Sequence, residues 1–377
     1  MNIDPLMNID PLTSKKSNKP GPIVVDLLGQ SLTEEDKKRL QHPLTGGVII
    51  FGRNFKSRVQ VTRLIRSIRA LRPELLISVD HEGGRVQRFK TDGFTHLPAM
   101  RVLGQLWMTD PLNAMRITTA AGFVLAAELR AVGVDYSYTP VLDLDFGEST
   151  VIGDRAFSHD ARVVTMLAKA LQHGLLQAGM KSCGKHFPGH GFVAADSHTD
   201  MPVDQRSLKK IMADDVLPYQ MLMQDLAAVM PAHVVYPKVD AQAAGFSTIW
   251  LGMLREQLGF SGAIVSDDLS MAGAALLYPN VVERVKVALD AGCDQVLICN
   301  RPHDLDAALN GVPMAYLKAV NASRLEGLRA VGEPLSWSDL QKDARYLNAK
   351  KMIEPYLHSR PVIDPTAVML QTKTKEK

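Results

Sequence analysis

The segment KHFPGHGFVAADSHTDMP, residues 185–202, concentrates Lys185, His186, His190, Asp196, His198 and Asp200 among glycines and prolines. Glycine and proline interrupt regular backbone, so the segment is expected to be a long loop, neither helix nor strand, loaded with titratable groups. Burying that many polar groups without partners would be costly, which points toward chemistry and away from packing. Within the loop, Asp196 stands two residues before His198. A carboxylate so placed can hydrogen-bond one ring nitrogen, fix the tautomer and raise the imidazole pKa. The other nitrogen is then free for general acid–base work. The same side chains could instead ligate a metal on a rim. The chain has no HExxH and no pair of histidines one residue apart on a strand, so a metal is not expected.

Two further acidic positions follow apolar runs. Asp267 ends GAIVSD with Asp268 beside it. An ionised carboxylate at that exit can serve as a nucleophile, and Asp268 is expected to cap the helix that follows; the capping role is the alternative for either residue. Asp80 opens DHEGGRVQR, where Gly83 and Gly84 permit an unusual turn and Arg85 and Arg88 are spaced as on a helical face. A carboxylate beside an arginine could clamp hydroxyl groups through paired hydrogen bonds, or form a structural ion pair.

These residues need a scaffold. Short β-branched runs at 23–28, 47–51, 75–79, 136–142, 180–184, 227–231, 263–266 and 295–299 are mostly continuous in hydrophobicity, as expected of parallel strands buried on both faces. Helical periodicity fills 34–41, 59–71, 111–132, 161–178, 207–226, 248–258 and 281–291. Ser31 with Glu34, or Thr33 with Asp36, could form a capping box, and Asp110-Pro111 places a cap before a first-turn proline. Gly133, Gly179, Gly259 and Gly292 suit helix C-termini. Alternating units of this length predict an α/β fold, a single-domain (β/α)8 TIM barrel. A doubly wound open sheet usually carries a glycine-rich turn after its first strand, and Leu27-Leu28-Gly29-Gln30 offers one glycine. The strand exits carry Asp26, Arg53, Asn54, Asp80, His81, Glu82, Asp143, Asp145, Lys185, His186, His233, Asp267, Asp268, Asn300 and Arg301. Barrel enzymes gather their active sites at that end.

The bulk composition is that of a globular chain: 377 residues, 46% hydrophobic and 22% charged. Its 43 basic and 40 acidic residues leave a net charge of +3, which gives no footprint for nucleic acid or an anionic membrane. Arg63, Arg66, Arg69 and Arg72 follow helical spacing and are expected on a solvated face. Three cysteines, Cys183, Cys293 and Cys299, form no CxxC pair and suit a reducing compartment. No apolar run approaches a membrane span, and no secretory leader is recognised, so a cytoplasmic location is expected. The hexapeptide MNIDPL occurs twice in tandem at the N-terminus. Residues 1–20 are expected to lie outside the fold, residues 21–345 to form the barrel, and residues 346–377 to form a partly disordered extension, frayed at 371–377.

Taken together, DHEGGRVQR at 80–88, GDRAFS at 153–158, KHFPGHG at 185–191, DSHTDMP at 196–202 and SDDLSM at 266–271 resemble the NagZ-type β-N-acetylglucosaminidases of glycoside hydrolase family 3, in order, over residues 22–311. His81 stands where many relatives have glutamine, and GFVAADSH departs from their more polar loop. The resemblance implies one barrel without a second domain, with Asp267 as nucleophile, His198 as general acid/base and Asp196 as the partner that tunes it. It implies Asp80, Arg88, Arg155, Lys185 and His186 as sugar-binding residues, and no cofactor. The implied reaction removes terminal β-linked N-acetylglucosamine from muropeptide fragments in cell-wall recycling, with retention through a covalent glycosyl-enzyme. Gly189 and Gly191 are expected to let the loop close over bound sugar. A small-molecule substrate is the expected partner, with neither nucleic acid nor membrane, and the chain is expected to act as a monomer. A phosphorylase using the same site, a barrel metalloenzyme and a non-catalytic sugar-binding barrel remain the alternatives.

Overall fold

Runs such as TGGVII and LISV have no polar face to show to water, so they are stable only between two covering layers. The computed structural model describes residues 19–194, 201–359 and 361, and in it these runs form the staves of a barrel. The strands are β1 (Ile23–Val25), β2 (Thr45–Ile50), β3 (Leu76–Val79), β4 (Tyr136–Ser137), β5 (Cys183–Phe187), β6 (Ala228–Pro231), β7 (Ala263–Asp268) and β8 (Gln295–Ile298). All neighbouring pairs are parallel, in the order β4-β3-β2-β1-β8-β7-β6-β5. The ends of that sheet meet through the Tyr136–Lys181 and Val141–Lys185 bridges, with Leu142 N donating to Lys185 O at 2.7 Å. The fold is the expected (β/α)8 barrel.

Helices wrap the outside. Thr33 and Asp36 form the capping box of Glu34–Gln41, and Asp110 caps Pro111–Ala131, a helix that packs against Ala161–Gln177. No helix among the described residues is long and apolar enough to cross a membrane. The arginine run lies on Arg58–Leu71, yet only part of it faces solvent. Arg69 reaches Asp135 at 2.5 Å, and Arg72 donates to Glu74 and to the carbonyls of Leu40 and His42.

Several expected boundaries shift. β4 is two residues long where a longer strand was expected, and the 207–226 helix is two short helices, Leu208–Ala213 and Leu217–Leu222. Pro218 has no N–H to continue the first helix, and Asp215 at the break is drawn into an ion pair with Arg206 at 2.7 Å. Sequence reasoning also missed the helix Met100–Trp107 and the antiparallel hairpin His81–Gly83 with Val86–Gln87. Gly83 and Gly84, at φ of 118° and 53°, turn that hairpin, so Arg85 and Arg88 do not share a helical face. At the far end, the helix Ala344–Ile353 runs across the division set at residue 345 and packs on Pro111–Ala131.

Candidate active site

β5 is where expectation and structure differ most usefully. Lys185 and His186 lie inside the strand and not in a loop, because Lys185 pairs in register with Met230 and Phe187 with Pro231 on β6. A strand fixes a side chain's direction more firmly than a loop does, and both residues open onto a cavity of about 440 Å³ at the strands' C-terminal ends. Asp80, Arg88, Arg155 and Asp267 line the same cavity, as do Glu82 and His190.

Lys185 is the hub of one wall. Its ammonium lies 3.0 Å from Asp80 Oδ1 and 2.7 Å from Glu82 Oε1, with the lysine side chain 3% exposed. Arg88 donates to the other Asp80 oxygen at 3.0 Å, and Arg155 grips Glu82 with two bonds of 2.9 Å. Burial would raise Asp80, but the Lys185 and Arg88 charges outweigh it and hold the carboxyl far below the usual range. The same contest holds Glu82 at about 2, with Arg155 and Lys185 overcoming burial. Lys185 is raised in turn, since its carboxylates outweigh its own burial. Such charge-assisted bonds fix geometry as well as charge.

Asp143 organises a second wall from beneath. It accepts His186 Nδ1 at 2.7 Å and the His190 N–H at 2.7 Å, so the His186 ring is oriented with Nε2 as its remaining polar atom. Asp143 is held below the ordinary carboxylate range because its His186 contacts outweigh burial. Burial, then His186, push His190 down to about 4, so it is neutral near pH 7.

The third wall is the end of β7. Asp267 Oδ1 accepts the Asp268 N–H at 2.8 Å, and among the described residues no lysine or arginine forms an ion pair with it. Burial pushes it up, but His186, His233, the Asp268 N–H and Lys185 together bring it below the usual value, so it is ionised. Asp268 behaves differently. Its Oδ1 accepts the N–H of Ser270 at 2.9 Å and of Cys299 at 3.0 Å, tying β7 to the exit of β8. It does not cap the next helix, whose N-cap is Met271. Burial pushes Asp268 up to about 7 despite those donors.

Other polar exits go elsewhere. Asp26 binds Arg53 and the N–H of Asn300, Asp145 pairs with Arg101, and Arg85, on the cavity's rim, pairs with Asp154 at 3.0 Å. Asp196 and His198 lie outside the described residues. The stem leading to them is described: Tyr236 donates to Gly189 O at 2.7 Å, and Arg206 sits 4.1 Å from the Phe192 ring. Gly189 and Gly191 are needed there for close approach. A Cβ at Gly191 would come within 1.7 Å of Leu144 O, and one at Gly189 within 2.4 Å of Asp215 Oδ1. Glu82 and Asp143 were not singled out as site residues from sequence. Period-two spacing from Asp80 on an extended segment was the signal for Glu82.

A (β/α)8 barrel with carboxylates and cations gathered at its C-terminal mouth is the architecture of a group-transfer enzyme. The family of the glycosyl hydrolase family 3 N-terminal domain matches residues 21–324, and the chain belongs to that family of glycoside hydrolases. It is 56% identical over 349 residues to the β-hexosaminidase of Bordetella parapertussis, covering 90% of this chain and 98% of the relative. It is 51% identical over 334 residues to that of Thiobacillus denitrificans, covering 87% and 92%. Native NagZ from Neisseria gonorrhoeae superposes with a TM-score of 0.83 at 47% identity, over 90% of this chain and 98% of that one. The same enzyme solved with N-trifluoroacetyl-D-glucosamine gives 0.83 at 46% identity, over 90% and 99%.

Proposed function

We propose that this chain is a retaining exo-β-N-acetylglucosaminidase that removes terminal β-linked N-acetylglucosamine from peptidoglycan fragments. Asp267 attacks the anomeric carbon while His198 protonates the leaving oxygen. Water, deprotonated by His198, then releases the sugar from the covalent intermediate, so the anomeric configuration is retained. Asp196 holds and tunes His198. Asp80, Arg88, Arg155, Lys185 and His186 bind the sugar's hydroxyl and amide groups.

One observation carries this reading. Of the cavity's described carboxylates, Asp80 and Glu82 are neutralised by cations and Asp268 is pushed to about 7, while Asp267 is ionised and forms no ion pair among the described residues. A nucleophile must be charged and uncommitted. A cavity of about 440 Å³ is toward the small end of ligand sites, which suits one terminal sugar ring. The names of the β-hexosaminidase relatives and the sugar in the Neisseria complex support the substrate class. The buried free thiols of Cys183, Cys293 and Cys299 fit a reducing cytoplasm, the proposed place of action. A monomer is the proposed working form.

The test is trapping. A slow fluorosugar analogue of N-acetylglucosamine should label the wild type at Asp267, located by peptide mass spectrometry, and Asp267→Asn should not be labelled. Labelling elsewhere rejects the assignment. Product analysis with and without phosphate should give free sugar in both cases; sugar-1-phosphate would reveal a phosphorylase.

A further inference from the structure

The family 3 match ends at residue 324, yet the chain beyond it packs against the segment that follows the Arg88 hairpin. The segment 88–99 between the hairpin and the helix Met100–Trp107 has no regular secondary structure, so no backbone ladder holds it. One backbone bond, Gly84 N to Leu97 O at 2.9 Å, ties it to the hairpin turn, and side chains supply the rest. Trp337, at the start of the short helix Trp337–Leu340, has its ring 4.9 Å from Phe94. Phe94 packs on Phe89 at 5.1 Å and on Phe55 at 5.6 Å, and Phe55 and Phe89 stack at 4.8 Å. The Arg58 guanidinium covers the indole at 4.8 Å, and Gly93 backs so closely onto it that a Cβ would lie 3.1 Å from the ring.

A polar line runs beside the aromatic one. Buried Glu128 accepts the Thr95 N–H at 2.9 Å, the Thr95 hydroxyl at 2.6 Å and the Tyr346 hydroxyl at 2.7 Å. Gln87 Nε2 donates to Phe89 O and Thr95 O at 2.8 and 2.9 Å, while its Oε1 accepts Leu97 N at 3.0 Å. The segment is thus clamped to the hairpin by Gln87 and to the C-terminal region by Trp337 and Tyr346. Gln87 and Phe89 flank Arg88, whose guanidinium reaches Asp80.

We infer that Trp337 and Tyr346 are positioning residues, which hold Arg88 and Asp80 in place for the terminal sugar through Phe94, Phe89 and Thr95. The inference rests on the cavity binding N-acetylglucosamine. The physical reason is reach: a long arginine side chain places its fork accurately only if its backbone is fixed, and here Trp337 and Tyr346 add fixing contacts from outside the matched domain to those of Phe55, Gln87 and Glu128 within it.

The experiment compares Trp337→Ala, Trp337→Phe and Tyr346→Phe with Ile353→Ala, which empties a buried site about two turns along the Tyr346 helix. In folded Trp337→Ala, amide exchange over residues 84–97 should accelerate. KM for an aryl β-N-acetylglucosaminide and the inhibition constant of free N-acetylglucosamine should both rise about tenfold, with kcat within about threefold. Trp337→Phe should restore most of both, and Tyr346→Phe should raise KM about threefold. Ile353→Ala should lower the melting temperature without either effect. Unchanged exchange and KM in Trp337→Ala, or equal changes in Ile353→Ala, would overturn the inference. If Trp337→Ala does not fold, an unchanged KM and unchanged Thr95 exchange in Tyr346→Phe overturn it. A wild type that ignores the glycoside refutes the proposed activity, and exchange alone then decides the role of Trp337.

Discussion

Asp267 and Asp268 leave the same strand and meet opposite surroundings. The His186 and His233 fields overcome burial at Asp267, whereas at Asp268 burial wins over two backbone donors. Stability should register both. Asp268 takes up its proton near pH 7 when folded and near 4 when unfolded, so the folded state binds more protons between those values. Its contribution is therefore best at low pH and is lost as pH rises from about 4 through about 7. Asp268→Asn should remove that slope, read as denaturation midpoints at pH 5 and pH 8; an unaltered slope would show that Asp268 titrates normally. Glu82 offers a second test. It is 2% exposed and faces both Arg155 and Lys185, so Glu82→Gln leaves buried cations undercompensated. Unfolding free energy should fall by about 3 kcal/mol, with loss of sugar binding. Asp267, Asp80, Arg88, Arg155, Lys185 and His186 could be picked out from sequence as motif residues, and the structure brings these six to one cavity. Glu82 and Asp143 were harder to see. Their partners, Arg155 and His186, lie 73 and 43 residues away, and spacing alone does not announce a long-range ion pair.

Among the elements, the stem after β5 leads along the chain to the segment that carries the proposed acid. Arg206 is held by Asp204 and Asp215 and lies over the rings of Phe146 and Phe192, at 4.9 and 4.1 Å. Cation–π contacts of this kind are worth about 0.5–2 kcal/mol each, enough to hold a short stem in one arrangement. Arg206→Ala should slow glycosides with poor leaving groups at least about tenfold while sparing activated aryl glycosides, because only the former need acid assistance. A uniform loss across leaving groups would count against the stem's role. The elements themselves were legible where hydrophobic runs were long and caps explicit, as at Thr33 and Asp110. They were misplaced where polar residues continue a strand. β5 carries Lys185 and His186, and β7 carries Asp267 and Asp268, so a hydrophobicity pattern ends both strands too early. Inward-facing charge at a barrel mouth is paid for by pairing across strands, which no local window contains.

Across the whole molecule, the described side chains at the mouth of the barrel are close to charge balance. Arg88, Arg155 and Lys185 face Asp80, Glu82 and Asp267, and Asp268 carries only part of a charge near neutrality. A divalent cation is held by a surplus of deprotonated ligands. Here it would have to evict Lys185 from between two carboxylates that the lysine already bridges at 3.0 and 2.7 Å. Exhaustive dialysis against a chelator should therefore leave kcat and KM within about twofold of their starting values. Lys185→Met supplies the contrast: with the ammonium gone, Asp80 keeps Arg88 and Glu82 keeps Arg155, but the cation between the two carboxylates is lost, and the variant should bind divalent cations more tightly than the wild type, measured by calorimetry. A wild type whose activity collapses in chelator and returns with added metal would mean that the lysine is displaced in the working enzyme, and the mouth would then have to be understood as a metal centre.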